Sequence, residues 1–169
     1  MIKSYEEIEL MRIAGKIVGD THNYLKDYIK PGITTKELDK LAYDFILSQG
    51  ATPSFLNYDG FPASICTSVN EEVVHGIPSD RVLQDGDIIS IDIGACYKGY
   101  HGDSAWTYPV GTIDDDKKYL LEHTEEALFE GLSAIKPGNR IGDVSYAIEQ
   151  SALKHKLGVV KELVGHGVG

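Results

Sequence analysis

The sequence is organised around two stretches, DIISIDIG at Asp87–Gly94 and YHGDSAW at Tyr100–Trp106. In the first stretch, isoleucine recurs at every second residue from Ile89 to Ile93. That spacing is typical of a β-strand with one buried face. Residues 97–100, Tyr-Lys-Gly-Tyr, have the composition of a turn. The sequence therefore predicts a β-hairpin at the centre of the fold.

Each predicted strand of the hairpin carries an aspartate, Asp92 in the first and Asp103 in the second. Aspartate is uncommon in strands, and a charged carboxylate among apolar side chains is costly unless it is compensated. If the hairpin folds about Tyr97 and Lys98, the two carboxylates lie directly across from each other. Facing carboxylates repel, so either one holds a proton or a cation lies between them. We favour a divalent metal ion; the alternative is two ordinary strand residues that are solvated or hydrogen-bonded.

Length, charge and composition limit the class of protein. The 169 residues are enough for one domain with a sizeable core, and the net charge of -10 argues against general nucleic-acid binding. The two cysteines, Cys66 and Cys96, suggest neither a disulfide framework nor a CxxC zinc pair. Residues 1–10 are unlike a signal peptide, and no apolar run approaches membrane-spanning length. We expect a cytoplasmic protein that contacts neither nucleic acid nor membrane directly.

The remaining chain is predicted to form four helices and several short strands. The first two helices each begin with a capping box, at Ser4 and at Thr34. The predicted helices cover about 4–30, 34–49, 114–135 and 141–156, and the additional strands cover 53–58, 63–69, 72–75 and 158–164.

The sequence contains an internal repeat. The tetrapeptide IKPG at Ile29–Gly32 recurs at Ile135–Gly138, and each copy lies between a long helix and an amphipathic one. The second helix of each pair is followed by a glycine, Gly50 or Gly158. This order predicts a duplicated α/β fold. The first half continues into strands whereas the second stops soon after Gly158, so we expect the chain to be incomplete relative to the fold that it encodes.

Two histidines have neighbours that suit a site. His75 precedes the turn Gly76–Pro78, and His166 lies between two glycines that leave its ring accessible. Either alone is more often an ordinary structural histidine. Two carboxylates, from Asp92 and Asp103, with one imidazole suit Mn, Fe, Co or Zn better than Ca. The histidines on predicted helices are expected at the surface: His22, His123 and His155.

Several of these segments stand in the order and spacing found in the type I methionine aminopeptidases. The similarity rests on residues 8–14, 58–66, 74–78 (VHGIP), 87–92 (DIISID), 101–103 (HGD) and 165–169 (GHGVG). It extends over the whole chain, which thus resembles a bacterial-like member of that family. The resemblance implies the pseudo-two-fold "pita-bread" α/β fold of the creatinases and aminopeptidases. It also implies one catalytic domain over 1–169, with halves of about 1–111 and 112–169, the second truncated.

The resemblance implies roles for particular residues. Asp92, Asp103 and His166 resemble ligands of two divalent metal ions, with Asp92 holding one ion and Asp103 bridging both. His75 resembles the histidine that contacts the substrate near the scissile amide nitrogen, and is the expected catalytic residue. The residues that resemble the wall of the methionine side-chain pocket are Tyr58, Phe61, Cys66 and Phe55. Ordinary core packing is the alternative for these four.

Members of this family continue beyond the Gly-His-Gly segment and supply further ligands from there. We therefore expect the 169-residue chain alone to bind the metal pair poorly and to be inactive. The resemblance implies that the complete protein is a monomer that removes the initiator methionine from nascent proteins and peptides.

Two other functions fit parts of the sequence. A proline-specific aminopeptidase of the same fold would usually carry a separate N-terminal domain, whereas the first predicted helix here begins at Ser4. A metal-free module that binds peptides or a protein partner would have lost ligands, whereas Asp92, Asp103 and His166 are all present.

Overall fold

A computed structural model describes residues 2–168, which form two compact units, one reaching Ile113 and the other covering Asp114–Gly167. The elements of the first unit are α1 (Tyr5–Lys26), α2 (Thr35–Ser48), β1 (Thr52–Pro53), a short 3-10 helix (Tyr58–Gly60), β2 (Ile65–Val69), β3 (Ile88–Tyr97) and β4 (Tyr100–Pro109). Those of the second unit are α3 (Asp115–Ser133) and α4 (Ile141–Lys154). No described helix combines the length and the apolar composition that crossing a membrane requires.

Strand β3 is the centre of the antiparallel sheet. Strand β4 pairs with it along its whole length on one side, and on the other side β2 pairs with Ile89–Ile93 and β1 with Ala95–Cys96. The predicted hairpin is confirmed. Its turn consists of two residues, Lys98 and Gly99, with φ values of 50° and 86°. Two positive φ values in succession characterise the type I′ turn, whose twist matches that of paired strands.

The core lies on one face of this sheet. The predicted alternation is confirmed, because Ile89, Ile91 and Ile93 are fully buried. Helix α1 packs against β3 and β4, and α2 packs against β1 and β2. The other fully buried large apolar side chains of this core are Val18, Leu25, Leu38, Ile46, Ile65, Leu83, Val69 and Val110.

Both predicted capping boxes are present. The Ser4 hydroxyl accepts a hydrogen bond from the Glu7 backbone N–H, and the Glu7 carboxylate accepts one from the Ser4 backbone N–H. Thr34 and Glu37 make the same reciprocal pair at the start of α2. Helix α1 ends at Lys26 rather than near residue 30.

The two Pro-Gly segments of the internal repeat have the same local conformation. Gly32 has φ 98° and Gly138 has φ 94°, and each lies between two helices. This left-handed conformation favours glycine. In the second copy the N-cap is Arg140, whose backbone N–H donates to the Asp143 carboxylate over 2.7 Å.

Two of the predicted strands of the first unit are wrong. Residues 72–75 form a loop in which Val73 and Val74 are 60% and 47% exposed. Their apolar character suggested burial, but this segment is not paired with the sheet as a strand. The strand predicted over 53–58 is reduced to Thr52–Pro53, because the chain turns at Asn57 with φ 66°.

The strand predicted over 158–164 is also wrong. This segment has no regular secondary structure beyond a turn. A strand needs a neighbour for its backbone N–H and C=O groups. The described residues of the second unit form helices and loops only, so that unit offers no strand with which 158–164 could pair.

His22 is predicted at the surface, but the structure buries it between α1 and β4. Its Nε2 lies 3.0 Å from the Ser104 carbonyl oxygen and its Nδ1 lies 3.0 Å from the Tyr108 hydroxyl. A carbonyl only accepts, so Nε2 carries the proton and Nδ1 accepts from Tyr108. Burial lowers the pKa of His22, which keeps the imidazole neutral.

Gly102 lets the backbones of α1 and β4 approach closely. A β-carbon placed on Gly102 would lie 2.6 Å from the Gly15 backbone nitrogen. That contact is with backbone rather than with a flexible side chain, so α1 would have to move.

We expect Gly102→Ala to lower the free energy of unfolding by about 1–3 kcal/mol, because overpacking forces α1 away from the sheet. The matched control is Gly19→Ala in α1, where an added β-carbon meets nothing within 4 Å. That variant should be more stable by about 0.5–1 kcal/mol, since alanine favours helices over glycine. Urea unfolding monitored by circular dichroism measures both changes, and equal effects of the two substitutions would contradict the close approach.

Candidate active site

The sheet face opposite the core is mostly polar. Side chains alternate between the two faces of a strand, so Ser90 and Asp92 lie on the other side from Ile91. The pairing of the strands places further residues on this polar face, which comprises Cys66, Ser68, Ser90, Asp92, Gly94, His101, Asp103, Ala105 and Thr107. The Ser90 and Thr107 hydroxyls lie 2.7 Å apart, which confirms that paired residues meet here.

Asp92 and Asp103 share the polar face but are not directly opposite each other, which corrects the prediction. Asp92 pairs with Ala105, and Asp103 pairs with Gly94. The reason is that the turn lies at Lys98–Gly99 instead of Tyr97–Lys98. The pairing register of the two strands therefore shifts by two residues. Because side chains alternate between faces, a shift by two leaves both aspartates on the same face of the sheet. Such diagonal neighbours are about 7–8 Å apart, which leaves room for a cation between the carboxylates.

The pKa of the Cys66 thiol reflects the negative charge of the polar face. Cys66 is buried in β2 and pairs in register with Asp92. Burial, followed by the negative charges of Asp92, Asp103 and Asp39, raises the pKa of Cys66 to about 12. The thiol is therefore protonated at neutral pH. The charges of both predicted metal ligands, Asp92 and Asp103, act on this one sulfur atom.

Asp39 anchors the start of β2, a role that sequence reasoning missed. Its carboxylate accepts hydrogen bonds from the backbone N–H groups of Ser64 (2.7 Å) and Ile65 (3.1 Å). Burial raises the pKa of Asp39, and these two bonds oppose the rise. The bonds hold β2 where Cys66 meets Asp92. Asp39 lies in an ordinary amphipathic helix, and no motif in the sequence marks it.

The structure brings Phe55 to the polar face. A β-carbon on Gly94 would lie 2.5 Å from the Phe55 Cε1 atom, so the ring occupies the space that a side chain at position 94 would fill. The neighbouring Ser54 hydroxyl lies 2.9 Å from His101 Nδ1, which ties this loop to β4. Since Gly94 pairs with Asp103, the ring lies beside the predicted metal ligands.

Tyr58 and Phe61 lie in the loop that follows Phe55. The loop is closed by hydrogen bonds from the Asn57 N–H to the Phe61 carbonyl (2.8 Å) and from the Tyr58 N–H to the Phe55 carbonyl (2.9 Å). Tyr58 is 75% exposed and Phe61 is half-buried. Tyr58 and Phe61 therefore belong to the loop that the Phe55 ring connects to the polar face. The Tyr58 ring lies largely in solvent.

His75 lies at the β2 edge of the polar face. It has φ 56° and is exposed. The next residue, Gly76, accepts a hydrogen bond from the Thr67 N–H (2.8 Å) and donates one to the Ser68 hydroxyl (3.1 Å). Because Ser68 belongs to the polar face, these bonds hold the backbone beside His75 against it.

His166 belongs to the second unit, whereas Asp92 and Asp103 belong to the first. Its ring is exposed, and Nδ1 lies 3.0 Å from the Gly167 carbonyl oxygen. Its place as a third ligand stays a prediction. Gly169, the last residue of the GHGVG motif, lies outside the described residues.

The donor set on the polar face fits a divalent cation. Asp92 is half-buried and Asp103 is exposed, so both are open to an ion from solvent. Two carboxylates on one face provide the oxygen ligands that divalent ions accept. The Cys66 thiol is a poor ligand in this state because metals bind the thiolate.

Similarity to known families agrees with this arrangement. The profile of metallopeptidase family M24 matches residues 9–169. The chain is 62% identical to methionine aminopeptidase 1 of Bacillus subtilis, a match that covers 99% of this chain and 67% of that protein. It is 52% identical to the methionine aminopeptidase of Clostridium acetobutylicum, covering 100% of this chain and 68% of the relative.

Solved structures show the same fold. The crystal structure of methionine aminopeptidase from Rickettsia prowazekii superposes with a TM-score of 0.97 at 41% identity, covering 100% of this chain and 68% of the other. The Xaa-Pro dipeptidase from Bacillus anthracis superposes with a TM-score of 0.84 at 27% identity, covering 99% of this chain and 46% of that chain. The chain thus spans about two thirds of the length of the methionine aminopeptidases that it matches.

The two thiols should differ sharply in reactivity. Cys66 is buried and Cys96 is half-exposed, and both are free. At pH 8 we expect a thiol reagent such as Ellman's reagent to modify Cys96 rapidly and to leave Cys66 intact in the folded protein. Equal modification rates in the Cys66→Ala and Cys96→Ala variants would contradict the conclusion that the Cys66 thiol is buried and protonated.

The raised pKa of Cys66 also gives a pH dependence. In the unfolded chain a cysteine loses its proton near pH 8.5, whereas the folded thiol keeps it up to about pH 12. The unfolded state therefore binds fewer protons between these values, and the free energy of unfolding falls as pH rises through this window. Urea unfolding at pH 8 and 10 should show a steeper fall for the natural chain than for Cys66→Ala.

Proposed function

The chain belongs to metallopeptidase family M24 and, within it, to the methionine aminopeptidases, and on that basis we propose that it serves to remove the N-terminal methionine from nascent proteins and peptides. The observation that carries this proposal is the high identity to the Bacillus enzyme over nearly the whole chain. It is supported by the polar face, where Asp92 and Asp103 lie as diagonal neighbours.

The fold is the mixed α/β pita-bread fold of the methionine aminopeptidases and the creatinase-like peptidases. We propose that residues 1–169 belong to one catalytic domain, with a first half of about 1–111 and a second half of about 112–169 that is truncated. The matching Pro-Gly conformations at Gly32 and Gly138 support a duplicated plan.

Like its family, the chain uses divalent metal. We propose two ions, of Mn, Fe, Co or Zn, held by Asp92, Asp103 and His166, with Asp103 shared between them. The two carboxylates lie on one face, and their charges jointly raise the pKa of Cys66. A bound divalent pair would polarise the scissile carbonyl and lower the pKa of water.

Phe55, Cys66, Tyr58 and Phe61 are proposed to line the pocket for the methionine side chain. The Phe55 ring lies on Gly94, next to Asp103, so an apolar surface adjoins the carboxylates. Cys66 presents a protonated thiol there, which serves as a small apolar wall and not as a nucleophile. A flexible thioether is well suited to such a surface.

His75 is proposed to act at the scissile amide. Its ring is exposed at the edge of the polar face, where the backbone of Gly76 is fixed to Ser68. An imidazole in that place hydrogen-bonds the amide nitrogen and donates a proton to the leaving amine. The side chain itself is free of the strand ladder, so it is able to turn towards a bound peptide.

The alternatives receive less support. Identity to the Xaa-Pro dipeptidase is less than half of the identity to the Bacillus methionine aminopeptidase. A metal-free binding module would have lost metal ligands, whereas Asp92, Asp103 and His166 are all present. The proposed partners are N-terminal methionine peptides, and we propose a cytoplasmic monomer that binds neither nucleic acid nor membrane.

Release of methionine from Met-Ala-Ser with added Mn²⁺ or Co²⁺ tests the proposal. The assay compares this chain with a chimera that continues after Gly169 with the corresponding segment of the Bacillus relative. We expect the chimera to release methionine and Asp92→Asn to lower kcat/KM by at least about 100-fold, since loss of a ligand weakens metal binding.

Asp44→Asn on α2 is the matched control for this assay. Asp44 pairs with Lys40 at the surface, so its replacement should leave the rate unchanged. Equal rates for Asp92→Asn and the unmodified chimera, or cleavage of an Ala-Pro peptide in place of Met-Ala-Ser, would contradict the proposed function.

Gly94→Ala tests the pocket. The added methyl group would lie 2.5 Å from the Phe55 ring, so the ring has to leave its place. In the same chimera we expect KM for Met-Ala-Ser to rise about 10-fold or more with a smaller change in kcat, because apolar contacts of this size are worth that much discrimination. Phe55→Ala should reproduce the pattern, and an unchanged KM in both variants would remove Phe55 from the pocket.

A further inference from the structure

A second group of ligand-type side chains lies in the second unit and has no part in the proposed peptidase site. His123 and Glu126 are one turn apart on α3, and His155 is the C-cap residue of α4. Contrary to the prediction of surface positions, the side chains of His123 and His155 are only 16% and 15% exposed. Within residues 2–168, no other three residues of the types His, Cys, Asp and Glu bring ligand atoms this close together.

Small residues allow the two helices to bring these groups together. A β-carbon on Gly131 would lie 2.6 Å from the Ile148 Cγ1 atom, so α3 and α4 are in close contact there. Ala127, Ser151 and Ala152 are buried in the second unit as well. The C-terminal end of α4 therefore reaches the middle of α3.

The three side chains meet at one carboxylate oxygen. His123 Nδ1 and His155 Nε2 each lie 3.0 Å from Glu126 Oε2. The two imidazole rings stack with centroids 3.6 Å apart and planes 13° apart. All three ligand atoms lie within 4.8 Å of one another, a spacing that a single ion can span.

The contact between His155 Nε2 and Glu126 is not an ordinary hydrogen bond. Nε2 is buried, and despite the short distance to Oε2 its geometry satisfies no hydrogen bond. On the other side of the ring, the Tyr119 hydroxyl donates to the His155 carbonyl (3.2 Å) and lies 3.4 Å from Nδ1. Because the Tyr119 proton is engaged by the carbonyl, the hydroxyl oxygen can accept from Nδ1–H, and in that tautomer the lone pair of the ring is on Nε2.

His155 Nε2 lies 3.0 Å from Glu126 Oε2 without a hydrogen bond, and a cation beside these two atoms would satisfy both of them. Lys154 Nζ lies 3.1 Å from Oε1, the other carboxylate oxygen, so Oε2 is the oxygen that the two imidazoles share. His123 Nδ1 donates to Oε2 over 3.0 Å, and His155 Nε2 faces the same oxygen without a hydrogen bond.

We propose that His123, Glu126 and His155 form a second metal site, which binds a divalent transition-metal ion through His123 Nδ1, Glu126 Oε2 and His155 Nε2. Two imidazoles and one carboxylate are a ligand set suited to Zn²⁺, Co²⁺ or Ni²⁺. On binding, His123 gives up its Nδ1 proton to solvent, and the fourth position is left to water. The Tyr119 hydroxyl lies beside Nδ1 and orients the His155 ring. Metal-bound histidines commonly have such a hydrogen-bond partner at the ring nitrogen that does not bind the metal.

Zinc competition with a chromophoric chelator tests this site. The titrations use the full chain with Asp92→Asn and Asp103→Asn, so that the polar face contributes no binding. We expect a saturable zinc site whose affinity falls at least about 10–100-fold in Glu126→Gln and in His155→Gln. Glu125→Gln is the matched control, because it removes one charge from the neighbouring exposed position and should leave the affinity unchanged.

Lys154→Gln gives a change of opposite sign. Its ammonium group repels a divalent ion and competes for Glu126, so its removal should tighten zinc binding by about tenfold or less. If these side chains formed only a hydrogen-bond network and bound no metal, Lys154→Gln would not increase the affinity for zinc.

Ring nitrogen NMR of the unmodified chain covers the case in which a variant fails to fold. Added zinc should shift the resonances of His155 Nε2 and His123 Nδ1 together. Shifts confined to other histidines, or zinc affinity that is equal in Glu126→Gln, His155→Gln and Glu125→Gln, would overturn the proposal and leave a proton-mediated contact between the helices.

Discussion

The pairing register of β3 against β4 is the constraint on which the first unit depends. It is set by two residues, Lys98 and Gly99, whose positive φ values close the hairpin with a twist that paired strands accept. That register sends Ile89, Ile91 and Ile93 into the core, and it sends Asp92 and Asp103 to the opposite face. A slip by one residue would exchange the two sets, at the cost of burying carboxylates and exposing isoleucines.

Most of the elements could be predicted because their signals are local. The capping boxes at Ser4 and Thr34, the alternation of isoleucine and the repeated Pro-Gly segments each lie within a few residues of sequence. The common face of Asp92 and Asp103 was predictable for the same reason, because any even shift of register preserves it. Their exact partners were not, since four residues of turn-like composition allow more than one two-residue turn.

Features that depend on distant contacts escaped prediction. Helical periodicity alone does not tell that His22 is satisfied by Ser104 and Tyr108, which lie more than eighty residues away in the sequence. In the same way, the sequence gives no sign that the Phe55 ring needs a glycine at position 94. The stack of His123 on His155 depends on how α3 and α4 pack, so two residues expected at the surface form a partly buried cluster.

The backbone contact at Gly102 has a further consequence for the proposed metal ligands. No side chain separates α1 from β4 there, so the strand cannot shift without moving a helix of 22 residues. Asp103 is the next residue and points to the opposite face. The backbone of Asp103 is therefore held in place by α1 before a cation arrives, so that binding has to order its side chain and not the strand.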